Sequence, residues 1–71
     1  MNKLGKALKY QRKINKLSQS ELGKYVGVSA NVVSRWEVGD NLPSIYILIA
    51  LADYYEISLD ELVDRDFYGR L

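Results

Sequence analysis

Residues 18–38 contain the signals for two short helices joined by a sharp corner, and they limit the possible folds more than any other stretch. Ser18 and Glu21 have the spacing of a capping box, in which each side chain bonds the backbone amide of the other residue, so a helix is predicted to begin at Gln19. Gly27 follows this helix and accepts the positive φ that a sharp turn requires. The stretch therefore predicts a helix, a tight corner and a second helix.

The second helix is predicted over about residues 30–38, with Ser29 as its N-cap. Val33 and Trp36 lie three positions apart and are predicted to face the core. The residues left to face outward are small or polar with one long cation; they are Ala30, Asn31, Ser34 and Arg35. The major groove of DNA admits a slim helix that offers hydrogen bonds to base edges, and asparagine and arginine can bond adenine and guanine bidentately. The corner is therefore interpreted as a DNA-reading element.

The motif that contains these residues is more specific than any one of them. It is Gln19-x-x-Leu22-Gly23-x-x-x-Gly27-Val28-Ser29-x-x-x-Val33-Ser34-x-Trp36-Glu37-x-Gly39. This motif resembles the helix-turn-helix of the phage repressor and Cro family, and the likeness runs from Leu4 to Leu62. The resemblance implies an all-α fold, a compact five-helix DNA-binding domain over residues 1–63 whose helix-turn-helix is formed by helices 2 and 3, with a short tail over residues 64–71. It also implies a small transcriptional regulator, in particular a repressor, that binds double-stranded DNA in a sequence-specific manner.

The resemblance further implies two sets of DNA contacts. The base-reading set comprises Ser29, Ala30, Asn31, Val32, Ser34 and Arg35. The phosphate-binding set, which fixes register without reading sequence, comprises Arg12, Lys13, Ser18, Gln19 and Asn41. A structural salt bridge between Arg12 and Glu37 is implied as well, because the family keeps such a pair between helix 1 and the end of helix 3. The alternative is an ordinary exposed pair worth less than about 1 kcal/mol.

Three further helices complete the predicted fold. Helix 1 is predicted to end near Asn15, which tolerates the left-handed conformation. Ser44 caps helix 4, which is predicted to run to about Tyr55, and a second capping box starts helix 5 near Leu59. Glu56 stands where the family commonly has glycine, at the end of helix 4.

Helix 4 carries a second apolar stripe besides the one that faces the core. This stripe comprises Tyr46, Ala50 and Tyr54. One side of a helix can face the core, so the stripe needs another partner. It is predicted to form a homodimer surface, which suits a palindromic operator. The alternative is that the tail folds back and lays Phe67, Tyr68 and Leu71 on it.

The charged residues are distributed unevenly along the chain. Residues 1–35 carry eight lysines and arginines and one glutamate, a net charge of +7. Residues 36–71 carry two arginines and eight carboxylates, a net charge of −6, so the total of +1 conceals a strong dipole. A polyanion would be drawn to the N-terminal half and repelled by the other half.

Composition and spacing exclude several other classes. The chain has no cysteine and no histidine, so no disulfide is predicted, zinc and iron lose their usual ligands, and no metal or cofactor is expected. The longest apolar run, residues 45–52, is far short of the roughly 20 residues that span a bilayer, and a cytoplasmic protein without a membrane partner is expected. The sequence shows no Gly-rich phosphate loop and no nucleophile–base pair, so an enzyme is not predicted. The alternative function is a protein-binding module on the same fold, such as an antitoxin or the partner of an anti-repressor.

Overall fold

The computed structural model describes residues 3–64, and these residues form five helices and no strand. The helices are α1 (Lys3–Ile14), α2 (Gln19–Val26), α3 (Ala30–Val38), α4 (Ile45–Tyr55) and α5 (Leu59–Leu62). The predicted all-α fold is confirmed, and α2 and α3 form the helix-turn-helix. Residues 65–71, and with them the suggestion that the tail covers helix 4, lie outside the described residues.

Serine side chains cap the helices from α2 to α5. At α2 the capping box is complete, because Ser18 Oγ accepts a hydrogen bond from the Glu21 amide at 2.9 Å and Glu21 Oε1 accepts one from the Ser18 amide at 2.8 Å. Ser29, Ser44 and Ser58 make single caps, and within residues 3–64 the capping box predicted at the start of α5 forms only the bond from the Glu61 amide to Ser58 Oγ. Each cap satisfies a backbone donor that the helix itself leaves without a partner. The local sequence therefore sets where these helices begin.

Every helix contributes to one core. Its buried apolar side chains are Leu8, Leu22, Val33, Trp36, Leu51, Ala52 and Leu62. The corner of the helix-turn-helix passes close to α2 at Gly23, where a Cβ atom would lie 2.5 Å from the carbonyl oxygen of Val28. Because that oxygen belongs to the backbone, the corner requires glycine at this position. The core therefore fixes α3 against the rest of the domain and leaves its opposite face to solvent.

The helix ends correct one prediction. Lys16, and not Asn15, takes the left-handed conformation after α1, with φ of 59°. Asn15 instead continues the helical hydrogen bonding, because its amide donates to the Gln11 carbonyl at 3.2 Å and its side-chain amide donates to the same oxygen at 2.8 Å. Glu56 takes the left-handed conformation after α4, also with φ of 59°. Both positions therefore adopt the glycine-type helix end without having glycine.

Candidate nucleic-acid interface

The two faces of α3 differ as the sequence predicts. Val33 and Trp36 are 0% and 3% exposed, whereas Asn31 and Arg35 are exposed on the other side of the helix. Two polar side chains, one of them a long cation, therefore project from a helix whose other side is buried in the core.

The remaining predicted base-reading residues surround these two. Ser29 is exposed and its Oγ accepts a hydrogen bond from the Val32 amide at 3.3 Å. Ala30 and Ser34 are half-buried, which leaves a slim surface between the longer side chains. Val32 is also half-buried and packs against the core, so it presents less of its side chain than the others. The exposed surface of α3 thus centres on Asn31 and Arg35.

The predicted ion pair between α1 and α3 is present and buried. Arg12 Nε donates to Glu37 Oε2 at 2.6 Å, and Arg12 Nη2 donates to Glu37 Oε1 at 3.0 Å. Arg12 Nη1 donates to the Leu17 carbonyl oxygen at 2.8 Å. Arg12 is 7% exposed and Glu37 is 6% exposed, so the exposed-pair alternative does not apply. The hydrogen bonds to Glu37 raise the pKa of the Arg12 guanidinium above its ordinary value.

Gln19 joins this ion pair, which the sequence did not predict. Its Nε2 donates to Glu37 Oε1 at 3.0 Å, on the oxygen that also accepts from Arg12 Nη2. Glu37 therefore connects α1, the first residue of α2 and the end of α3 in one hydrogen-bonded cluster. Neither periodicity nor capping gives a signal for this contact, because it joins side chains 18 residues apart.

The predicted phosphate-binding residues have different environments. Lys13, Ser18 and Asn41 are exposed, and Gln19 is half-buried. Arg12 is committed to Glu37 and Leu17, so its guanidinium lies inside the domain rather than on its surface.

The loop after α3 folds back onto the end of that helix. The carbonyl oxygen of Arg35 accepts hydrogen bonds from the amides of Gly39 and Asp40, both at 3.0 Å, and from the amide of Asn41 at 3.4 Å. These contacts place the backbone of Asn41 beside the C-terminal end of α3.

Tyr55 lies in the electrostatic environment of the buried ion pair. Its hydroxyl is buried and has no hydrogen-bond partner within residues 3–64. Burial, with the neighbouring Tyr54 as a smaller contribution, raises the pKa of Tyr55 to about 12. The phenol is therefore neutral at any physiological pH.

The outer face of α4 is more apolar than the sequence stripe indicated. Tyr46 is 80% exposed, and Ile45 and Ile49 extend the apolar surface at 52% and 45%. Tyr54 is partly covered, because its ring centre lies 4.1 Å from that of Tyr25 on α2. The available surface is therefore displaced from the Tyr54 end of the stripe towards the N-terminal half of α4. We call Ile45, Tyr46 and Ile49 the α4 surface.

Other kinds of site are not found in the part of the chain that the structure describes. Residues 3–64 contain no group of three carboxylates that could hold a metal ion. The longest helix in this part of the chain has 12 residues, which is too few to span a bilayer. Lys6 lines a shallow groove together with Glu61 and Asp64, between α1 and α5.

Comparison with known proteins gives consistent matches. Among curated proteins, the chain is 35% identical to the transcriptional repressor RstR of cryptic phage CTXphi from Vibrio cholerae, over 63 residues that make up 89% of this chain and 56% of the relative. It is 32% identical to the antitoxin PezA of Streptococcus pneumoniae, over 89% of this chain and 40% of that protein. The chain thus spans about half the length of these relatives or less.

A solved structure gives a more complete match. The P22 c2 repressor, crystallised in complex with the synthetic operator 9T, matches with a TM-score of 0.77 and 36% identity, over 89% of this chain and 96% of that chain. The helix-turn-helix family model matches residues 8–62, which include all of α2 to α5 and most of α1. The chain therefore belongs to the helix-turn-helix family that includes the phage repressors.

Proposed function

We propose that this chain binds double-stranded DNA in a sequence-specific manner, with α3 in the major groove, and acts as a transcriptional repressor. The observation that carries the proposal is the exposure of Asn31 and Arg35 on a helix whose opposite face is buried. The likeness to a repressor that was crystallised on its operator supports it.

Base reading is assigned mainly to the two exposed polar side chains of α3. Arg35 would bond the O6 and N7 atoms of a guanine, and Asn31 the N6 and N7 atoms of an adenine. The smaller residues Ser29, Ala30 and Ser34 would let the helix approach the base edges. Val32 would touch a thymine methyl only through the part of its side chain that is outside the core.

Phosphate contacts are assigned to Lys13, Ser18, Gln19 and Asn41, which lie around α3 without being part of its base-reading surface. Arg12 acts differently in this proposal, because its guanidinium is buried against Glu37 and supports the position of α3. The net charge of +7 on residues 1–35 would steer this half of the molecule towards DNA before contact.

We further propose that the chain works as a homodimer on a palindromic operator. The α4 surface supports this, since it exposes neighbouring apolar side chains that a second copy would cover. Two recognition helices would then lie about 34 Å apart in consecutive major grooves. If the basic residues of each subunit neutralise about four phosphates, the dimer would have a salt dependence of about −7 in log affinity against log salt concentration. We also propose that the chain acts in the cytoplasm.

A protein-binding role is the second candidate, because one relative is an antitoxin and the α4 surface would suit a protein partner. It predicts stable capture of a different protein through the α4 surface without detectable DNA binding. A Tyr46→Glu variant separates the two roles. It would weaken self-association and operator binding together under the proposed function, and would abolish only capture of the partner under the alternative.

Selection of bound sequences from a random duplex pool at moderate salt tests the proposed function. We expect an inverted repeat with half-sites one helical turn apart. Lys6→Ala is the control for any substitution of Arg35, because it also removes one positive charge. Lys6 lies beside Glu61 and Asp64 in the groove between α1 and α5 and not on α3. Recovery of no enriched sequence, at a salt concentration where basic proteins still bind DNA, would refute the proposal.

A further inference from the structure

The contact between Gln19 and Glu37 carries an inference that rests on the proposed function and extends it. We propose that Glu37 is a positioning residue for the DNA contact of Gln19. Its carboxylate fixes the orientation of the Gln19 side-chain amide, so that an N–H group rather than the carbonyl oxygen is presented to a backbone phosphate.

The orientation follows from the chemistry of the two groups. Gln19 Nε2 donates to Glu37 Oε1 at 3.0 Å. An ionised carboxylate only accepts hydrogen bonds, so it selects the nitrogen end of the amide and rejects the oxygen end. The second hydrogen on the same nitrogen diverges from the first and is not used by this bond. A half-buried side chain at the first position of α2 thus keeps one N–H for an external acceptor.

The orientation decides whether the contact with DNA is attractive. Phosphate oxygens only accept hydrogen bonds, so an amide that presented its own oxygen would oppose the phosphate. The N-terminus of α2 adds a partial positive charge at the same place. The negative charge of Glu37 does not cancel this effect, because Arg12 neutralises it through bonds of 2.6 and 3.0 Å. The cluster therefore orients a donor without placing a net negative charge against the DNA.

Replacement of single phosphates by uncharged methylphosphonates, scanned along a selected duplex, tests this role. In the unaltered chain, one of the sensitive positions in each half-site should be the phosphate that Gln19 contacts, where the replacement should weaken binding about tenfold, the size of a hydrogen bond to a charged group. Gln19→Ala should remove the sensitivity at that position only. In Glu37→Gln the loss of affinity at that position should fall to about threefold or less. An amide at position 37 can donate to the Gln19 side-chain oxygen, so the Gln19 amide can flip and present its oxygen to the phosphate.

Glu56→Gln is the matched control, since it removes one carboxylate charge at an exposed position at the end of α4. Glu56→Gln should still lose about tenfold in affinity when the same phosphate is replaced. Each sensitivity is a ratio within one variant, so a general gain in affinity from losing a negative charge cancels. Full tenfold sensitivity in Glu37→Gln would overturn the inference. Absence of binding by the unaltered chain to every duplex would instead refute the proposed function.

Glu37→Gln removes the counter-charge of the buried Arg12 and destabilises the fold, so a second measurement uses the unaltered chain. Nuclear magnetic resonance resolves the two side-chain amide protons of Gln19. In the free protein one proton should exchange slowly with solvent and the other quickly. Binding of DNA should change the chemical shift of only the fast-exchanging proton. Equal exchange rates for the two protons, or equal changes in their chemical shifts on binding DNA, would overturn the inference.

Discussion

Replacing Arg12 by methionine tests whether the ion pair between α1 and α3 is buried, so that loss of one partner leaves an uncompensated charge inside the domain. The change removes hydrogen bonds of 2.6 and 3.0 Å to Glu37 and one of 2.8 Å to the Leu17 carbonyl. Glu37 would remain 6% exposed and lose its cation, and removing one partner of a buried pair costs about 3–5 kcal/mol. Since domains of about 70 residues have unfolding free energies of about 4–10 kcal/mol, the variant should lose a third or more of its stability.

Urea denaturation of the single and double variants measures this effect. Arg12→Met combined with Glu37→Leu removes both charges, and its unfolding free energy should return to within about 2 kcal/mol of the unaltered chain. Lys13→Met, on the exposed side of the same helix, should change stability by less than about 0.5 kcal/mol. A loss below about 1 kcal/mol for Arg12→Met would refute the reasoning, since that is the value of an exposed pair. Equal losses for the single and double variants would also refute it.

Three further predictions concern stability. Glu56→Gly should stabilise the domain by about 0.5–1 kcal/mol in urea denaturation, because relief of left-handed strain exceeds the entropy cost of glycine, and a loss of stability would contradict this. Tyr55→Phe should leave stability unchanged or raise it by up to about 1 kcal/mol, since the hydroxyl makes no hydrogen bond within residues 3–64; a loss above about 1 kcal/mol would show that it has a partner. The Ser18 amide donates to Glu21 and lowers its pKa, so this bond stabilises the fold above the ordinary pKa of 4.5 and is lost as pH falls below it. In thermal melts, the melting temperature of Glu21→Gln should therefore fall less between neutral and acid pH than that of the unaltered chain. An equally steep fall in the two proteins would count against a stabilising role for the Glu21 cap.

The starts of the helices were predictable because they are set locally. Ser18 and Ser29 cap helices through bonds within three residues, and these bonds form as the sequence predicts. The buried face of α3 was predictable for a similar reason, since the spacing of Val33 and Trp36 indicates one face of a helix. The family resemblance added the ion pair between Arg12 and Glu37, which no local pattern specifies.

The features that were missed depend on contacts between distant parts of the chain. The Gln19–Glu37 hydrogen bond joins α2 to the end of α3, so the separate patterns of the two helices do not reveal it. The cover over Tyr54 comes from Tyr25 on a different helix, and it displaces the available apolar surface towards Tyr46. The left-handed conformation is predicted for Asn15 because asparagine tolerates it, but it occurs at Lys16. The hydrogen bonds that close α1 outweigh the intrinsic preference of asparagine.

The specificity of the Arg35→Ala variant tests the central claim most directly. Its affinity should be measured on the selected operator and on the same duplex with the arginine-read base pair changed, with Gln19→Ala as the phosphate-contact comparison. We expect the unaltered chain to discriminate between the two duplexes by about 5- to 150-fold, which is 1–3 kcal/mol, and Arg35→Ala to bind both equally. Gln19→Ala should weaken both duplexes evenly and keep the discrimination. If Arg35→Ala keeps the full discrimination at every base pair of the operator, the exposed face of α3 does not read DNA through this side chain, and the account is contradicted.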